Sequence, residues 1–256
     1  MGRGHATSGY LGGLGMVAAL PWAPWSVRLL AVAVTGGAAL LPDLDTASST
    51  ASRSLGFLTR WIAHGVAWVS IEVYHATRLD GDPAARDNPH RLITHTPVGS
   101  LAFGGVVAVA CLAHPIAGGV VIGLLIALGV TAVPTLHRAG NRLPGGGLAV
   151  LVVSAGGAWW VLTYENAWWW VLPVAVVWGA ILHREGDWCT VAGVPRRLWP
   201  LPEGDQRWRQ HHAPVTWHAG DEIERLYVTP ALGVATVVSA TWVSGIAPWA
   251  IAAWTG

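Results

Sequence analysis

Residues 97–133 read PVGSLAFGGVVAVACLAHPIAGGVVIGLLIALGVTAV, without a single Asp, Glu, Lys or Arg. A helix crossing the ~30 Å hydrocarbon core of a bilayer needs about 20 largely apolar residues. A charge at its centre costs roughly 2.5–3.5 kcal/mol on insertion scales. The run is too long for one crossing, and His114 followed by Pro115 divides it into two. Outward from it, residues 146–164 and 167–183 form a second pair, turning at Glu165 and Asn166. Towards the start, residues 25–41 make a span whose Arg28 lies near the entry end, where its stem can snorkel. A short, glycine-rich stretch, 6–20, precedes it across a turn at Pro21 to Pro24. The last charge-free run is 226–256. These stretches predict an all-α, polytopic transmembrane bundle of six or seven helices arranged as hairpins, in one domain over 1–256.

Composition agrees. The chain is 53 % hydrophobic and 11 % charged, against about 25 % charged in a soluble domain. Fifteen basic residues, all arginine, nearly balance fourteen acids, so no global charge points to nucleic acid. Successive crossings put 1–5, 42–96, 134–145 and 184–225 on one face, and these segments hold every arginine except Arg28. The positive-inside rule makes that face cytoplasmic. The opposite turns carry Trp22, Trp25, Trp159, Trp160, Trp168, Trp169, Trp170 and Trp249, an aromatic belt. Residues 54–79 have a helical pattern interrupted by Arg60, His64, Glu72, His75 and Arg78, which predicts an amphipathic helix lying at the same interface. Cys111 falls in an apolar run and Cys189 in a polar loop, so a mutual disulfide is not expected.

Ionisable residues collect where the spans meet the arginine-rich face. His5 lies just ahead of the first span. Asp43 and Asp45 follow Leu40, Leu41 and Pro42 at the exit of the second. The segment 88–97, NPHRLITHTP, enters the third, with Thr96 suited to the cap, Pro97 to the first helical position and His95 just outside. His183 and Asp187 close the fifth span, four apart and so on one helical face. Imidazole and carboxylate are ligands for zinc, manganese or iron, and carboxylate-rich sites also suit magnesium. His5, Asp43, Asp45, His95, His183 and Asp187 together offer enough ligands for one ion or two bridged ions. Arg91 carries a fork of donors suited to an anionic oxygen. His211, His212 and His218, with Asp205, Asp221 and Glu222, read as a solvated loop.

These residues resemble the YdjM-like, LexA-regulated family of membrane-bound predicted metal-dependent hydrolases. The resemblance is carried by His5 before Gly9 to Gly15, by LLPDLD at 40–45 with Ser48, and by His90, Arg91, Thr94 and His95. It continues through His183, Asp187, Thr190, Gly193, Trp199 and Pro200, and through Gly220 with Glu224. It departs at Thr96, where the family often has serine, and in the long helix over 54–79. The resemblance implies a metal site and hydrolysis; the donor set suits a divalent ion, Zn or Mn/Mg, and a site at headgroup depth favours, by its location, a phosphoester or lipid-linked substrate. Under a hydrolase, Glu224 is a candidate base beside the six ligands, and His90 and Arg91 are further catalytic candidates. Two other functions stay open. A transporter would set ionisable groups at the midplane, whereas these spans are clean; a scaffold with a structural metal would need the same ligands.

Overall fold

A computed structural model of the chain describes residues 2–83, 90–144 and 146–246. It is a helical bundle. Among the described residues, α1 is Gly2–Ala18, α2 Trp25–Ala38, α3 Thr50–Arg53, α4 Phe57–Thr77 and α5 Pro97–Ala113. There follow α6 Pro115–Ala132, α7 Pro134–Asn141, α8 Gly146–Tyr164, α9 Val171–Trp188 and α10 Thr229–Val243. Among the described residues, five helical stretches are long and apolar enough to cross a membrane: Trp25–Asp45, Pro115–Ala132, Gly146–Tyr164, Asn166–Trp188 and Glu224–Val243. The apolar α5 is shorter, and α1 is shorter still in apolar content, so the count reaches seven only with both. The expected tail beyond 246 lies outside the described residues.

Local chemistry sets the breaks. Thr96 caps α5, its hydroxyl accepting from the Gly99 amide at 3.0 Å, with Pro97 in the first turn. The α5–α6 hairpin forms where His114 goes extended ahead of Pro115, and its Nδ1 accepts from the Ile116 amide at 3.1 Å. Residues 134–145, expected as a loop, begin instead with the short α7, started by Pro134.

Helix α2 is the hub, with α1, α6 and α9 packed around it. Small residues permit this, because lipid gives helices no hydrophobic drive to associate and close backbone contact must supply the attraction. A Cβ on Gly37 would stand 1.8 Å from the Leu125 carbonyl oxygen of α6, and one on Gly179 of α9 would stand 2.5 Å from that of Thr35. On the outside, α10 packs on α1 and turns Val234, Val237 and Trp242 outward, each more than half exposed.

The hairpin bookkeeping has a direct check at the tryptophan-rich end. Ser26, at the start of α2, donates to the Glu165 carboxylate in the α8–α9 turn at 2.5 Å. The two turns therefore share one end of the bundle, away from Asp43 and Asp187. A cysteine in place of Ser48 and one in place of Asn166 should label from opposite sides of a sealed vesicle with an impermeant maleimide. Labelling from the same side would break the hairpin scheme.

The polar stretch after α9 is more ordered than a solvated loop. Strands β1 (Val194–Pro195) and β2 (Gln210–His211) pair antiparallel. Trp199 and Trp208 are buried against Tyr74 of α4 and Leu92. Asp82 pins this cap by accepting from the Trp208 amide at 2.9 Å and the Leu79 amide at 2.9 Å. His211 belongs to β2 and pairs with Glu203 at 2.9 Å, so it is part of the cap. Helix α4 runs within the range expected of the amphipathic helix and packs on the turns that hold Asp43 and His95.

Candidate metal centre

Four structural elements deliver the cluster. His5 projects from the first turns of α1, inside the helix and not ahead of it. Pro42–Asp45 leaves α2 as a 3-10 turn carrying Asp43 and Asp45. Ile93–His95 is a second 3-10 turn, leading into α5. Helix α9 continues through His183 to Asp187, which puts both on one face as their spacing requires. His95, His183 and Asp187 have no exposed surface.

Three overlapping triads have ligand atoms within 4.8 Å of one another: His5, Asp43 and His183; Asp43, His90 and His95; and His95, His183 and Asp187. Asp43, His95 and His183 each belong to two of them and link the three. The rings of His5 and His183 stack at 3.8 Å.

The tautomers follow from the partners. His183 Nδ1 donates to the Ala39 carbonyl at 2.8 Å, which leaves Nε2 as a lone pair. Thr94 donates to Asp45 Oδ2 at 2.6 Å, so its oxygen can accept from His95 Nδ1 at 2.9 Å. Nε2 of a neutral His95 is then also a lone pair, 3.1 Å from Nε2 of His183. Asp187 Oδ2 lies 3.2 Å from His95 Nε2 and 3.6 Å from His183 Nε2. Neither Asp187 oxygen makes a hydrogen bond of good geometry, although both are buried. Arg91 lies 3.1 Å from the outer oxygen, Oδ1, but the acceptor atoms gathered around Oδ2 repel unless a further positive charge lies among them. Electrostatics say the same at His95: burial alone would lower its pKa, but the carboxylates of Asp187 and Asp45 outweigh burial and carry it up to about 9. A proton or a metal ion meets this demand, and the His/Asp donor set is one that zinc or manganese takes.

Asp45 was expected among the ligands, and the geometry places it behind them. Its oxygens receive His90 Nδ1 at 2.9 Å, the Thr46 hydroxyl at 3.0 Å, the Arg91 amide at 3.2 Å and the Thr94 hydroxyl. A carboxylate so occupied orients imidazoles and has little left for an ion. His90, expected to act on the substrate, has a ring nitrogen within 4.8 Å of ligand atoms of Asp43 and His95. Arg91 joins the cluster with its fork already engaged: Nη1 donates to Thr190 Oγ1 at 2.8 Å and to the Gly193 carbonyl at 2.7 Å, and Nη2 lies 3.1 Å from Asp187 Oδ1. Its backbone holds a left-handed φ of 63°, a conformation uncommon outside glycine and found where surrounding structure enforces it. Glu224 stands apart from the triads. It accepts from the Gly220 amide at 2.6 Å and shares a cavity of about 60 Å³ with His5.

Sequence reasoning named Thr94 and Thr190 only as matches to the family pattern, without a part in the site, and did not single out Arg184. Arg184 is buried in α9 and its Nε donates to the His95 carbonyl at 3.1 Å, tying the α5 entry to α9. For Arg184 the one signal was its place next to His183. Cys111 and Cys189 are both free thiols, as expected.

Fold and site together define a class: a multi-pass helical membrane protein whose hairpins close a buried histidine–aspartate cluster at one end. The chain belongs to the YdjM inner membrane protein family, whose model matches residues 1–140. That match includes His5, Asp43, Asp45, His90, Arg91 and His95 and ends before His183 and Asp187. No curated protein and no solved structure matches the chain.

Proposed function

We propose that this chain is an integral-membrane, metal-dependent hydrolase, acting on a phosphoester or lipid-linked substrate from the cytoplasmic face. The observation that carries the reading is Asp187, fully buried among the Nε2 atoms of His5, His95 and His183, with Arg91 3.1 Å from its Oδ1 and its Oδ2 faced by the imidazoles of His95 and His183. His5, Asp43, His90, His95, His183 and Asp187 would hold one ion or two. A divalent ion in such a place supplies Lewis acidity to a phosphoryl or acyl oxygen and acidifies water near neutral pH. The protein's part is orientation. Asp45 fixes His90 and His95, Ala39 fixes His183, and Arg91 balances the outer oxygen of Asp187. Glu224, across the small cavity from His5, takes up or releases the proton that the reaction moves. The arginine asymmetry supports the cytoplasmic side, and the headgroup depth of the cluster supports a substrate drawn from the membrane.

Calorimetric titration of the detergent-purified, chelator-treated protein with Zn²⁺ and Mn²⁺ tests this. The wild type should bind and then hydrolyse phosphoesters. Asp45→Asn should weaken binding by about 10–100-fold, the usual cost of losing a group that orients metal ligands. A wild type that takes up no divalent ion would overturn the metal site. One that binds but turns over neither soluble nor lipid-linked phosphoesters would overturn the hydrolase.

A further inference from the structure

Helices α4 and α5 do not close on one another beside the cluster. Two cavities, of about 540 and 320 Å³, lie along this seam and share Ile62, Val66 and Phe103 as walls. Elsewhere small residues draw helices into backbone contact, as Gly37 does. Here they face open space: a Cβ on Gly65, which lines the larger cavity, would meet nothing within 4 Å. The lining is almost wholly apolar. At one end it includes Thr94, the residue that holds Asp45 and His95. The smaller cavity reaches the same cluster through Leu41 and Leu44, which flank Asp43 in the chain. The furrow is continuous with the lipid-facing flank of α5, where Val106 both lines the smaller cavity and is 65 % exposed.

We propose that the furrow between α4 and α5 receives one hydrocarbon chain of a membrane lipid, directing that lipid's phosphate end toward the His/Asp cluster. The occupant follows from the setting, since an apolar furrow that opens sideways from a bilayer-embedded bundle meets acyl chains before anything else. A chain leaving the bilayer core for the furrow exchanges one apolar environment for another. The furrow therefore adds little affinity and acts by alignment. The chain site rests on membrane placement alone, and the direction of the phosphate rests on the hydrolase reading.

A phosphatidylglycerol with a diazirine on one acyl chain, incorporated with the full-length protein into nanodiscs, is the probe. After illumination, peptide mass mapping should find labelling at Ile62, Val66 and Phe103 in excess over the outward residues Val152 and Val153 of α8. Gly65→Trp should abolish that excess while metal stoichiometry and melting temperature stay as in the wild type, and Gly65→Ala should retain it. Ala102→Trp fills the same space from the α5 wall and keeps the test alive if the α4 variant fails to fold. Uniform labelling unaffected by either tryptophan would overturn the proposal. So would a change of oligomeric size on filling the furrow, which would mean that a second copy occupies it. Furrow labelling in a wild type inert toward phosphoesters would uphold the chain site and refute hydrolysis. Turnover without furrow labelling would do the reverse.

Discussion

Asp187→Asn should yield a chain that inserts, purifies and melts close to the wild type, yet gains nothing from added metal. Asparagine keeps the volume, and Arg91 keeps its bonds to Thr190 and the Gly193 carbonyl, so the buried guanidinium is not stranded. What disappears is the one carboxylate that faces three imidazole Nε2 atoms. A ligand that binds only the folded state at 100 times its dissociation constant stabilises by about 2.7 kcal/mol. Wild-type protein in detergent should therefore melt at a higher temperature when Zn²⁺ or Mn²⁺ is added after chelation, and the variant should not shift. Metal-dependent phosphoester hydrolysis should vanish with the shift. If the ion were structural, its binding energy would be part of the folding energy, and the variant would fail to accumulate. An equal metal-induced shift in both proteins would remove Asp187 from the site.

Gly37→Val should have the larger effect on the fold. Overpacking a core usually costs about 1–3 kcal/mol, because side chains can rotate away. Here the obstacle is the Leu125 carbonyl oxygen, 1.8 Å from where the Cβ would stand, and backbone inside a helix cannot rotate. The loss should exceed about 4 kcal/mol, the range reserved for a few severe mechanisms. Little monodisperse protein should survive size-exclusion chromatography. Gly15→Ala in α1 is the control: its Cβ meets nothing within 4 Å, and alanine should improve helix stability by up to about 1 kcal/mol. Equal yields from the two variants would show that α2 and α6 are not in the close contact described.

The spans were legible because the cost of a charge in hydrocarbon writes itself into the sequence as long charge-free runs. The division at His114, the cap at Thr96 and the shared face of His183 and Asp187 are likewise local, set by residues within one helical turn. The placing of Asp45 behind the imidazoles was not legible. Asp43 and Asp45 are alike in type and two residues apart, and only the donors arriving from His90, Arg91 and Thr94 separate them. The cap after α9 was hidden for the same reason. Its order depends on Asp82 meeting the Trp208 amide across 126 residues of chain, and nothing in the intervening composition announces that meeting. Arg91 looked like an open fork because its partners, Thr190 and Gly193, are about a hundred positions away.

The histidine–aspartate cluster draws on His5 at one extreme and Asp187 at the other. Membrane helices enter the bilayer in the order of synthesis, so α1 and α2 wait through three more hairpin strokes before α9 arrives. Until then His5 and Asp43 have no His183 to stack on or face, and His95 lacks both α9 partners. No translation product that stops short of Asp187 presents the complete set. Assembly of the cluster is thus a late checkpoint of biogenesis, passed only by chains whose last long hairpin has been threaded and docked.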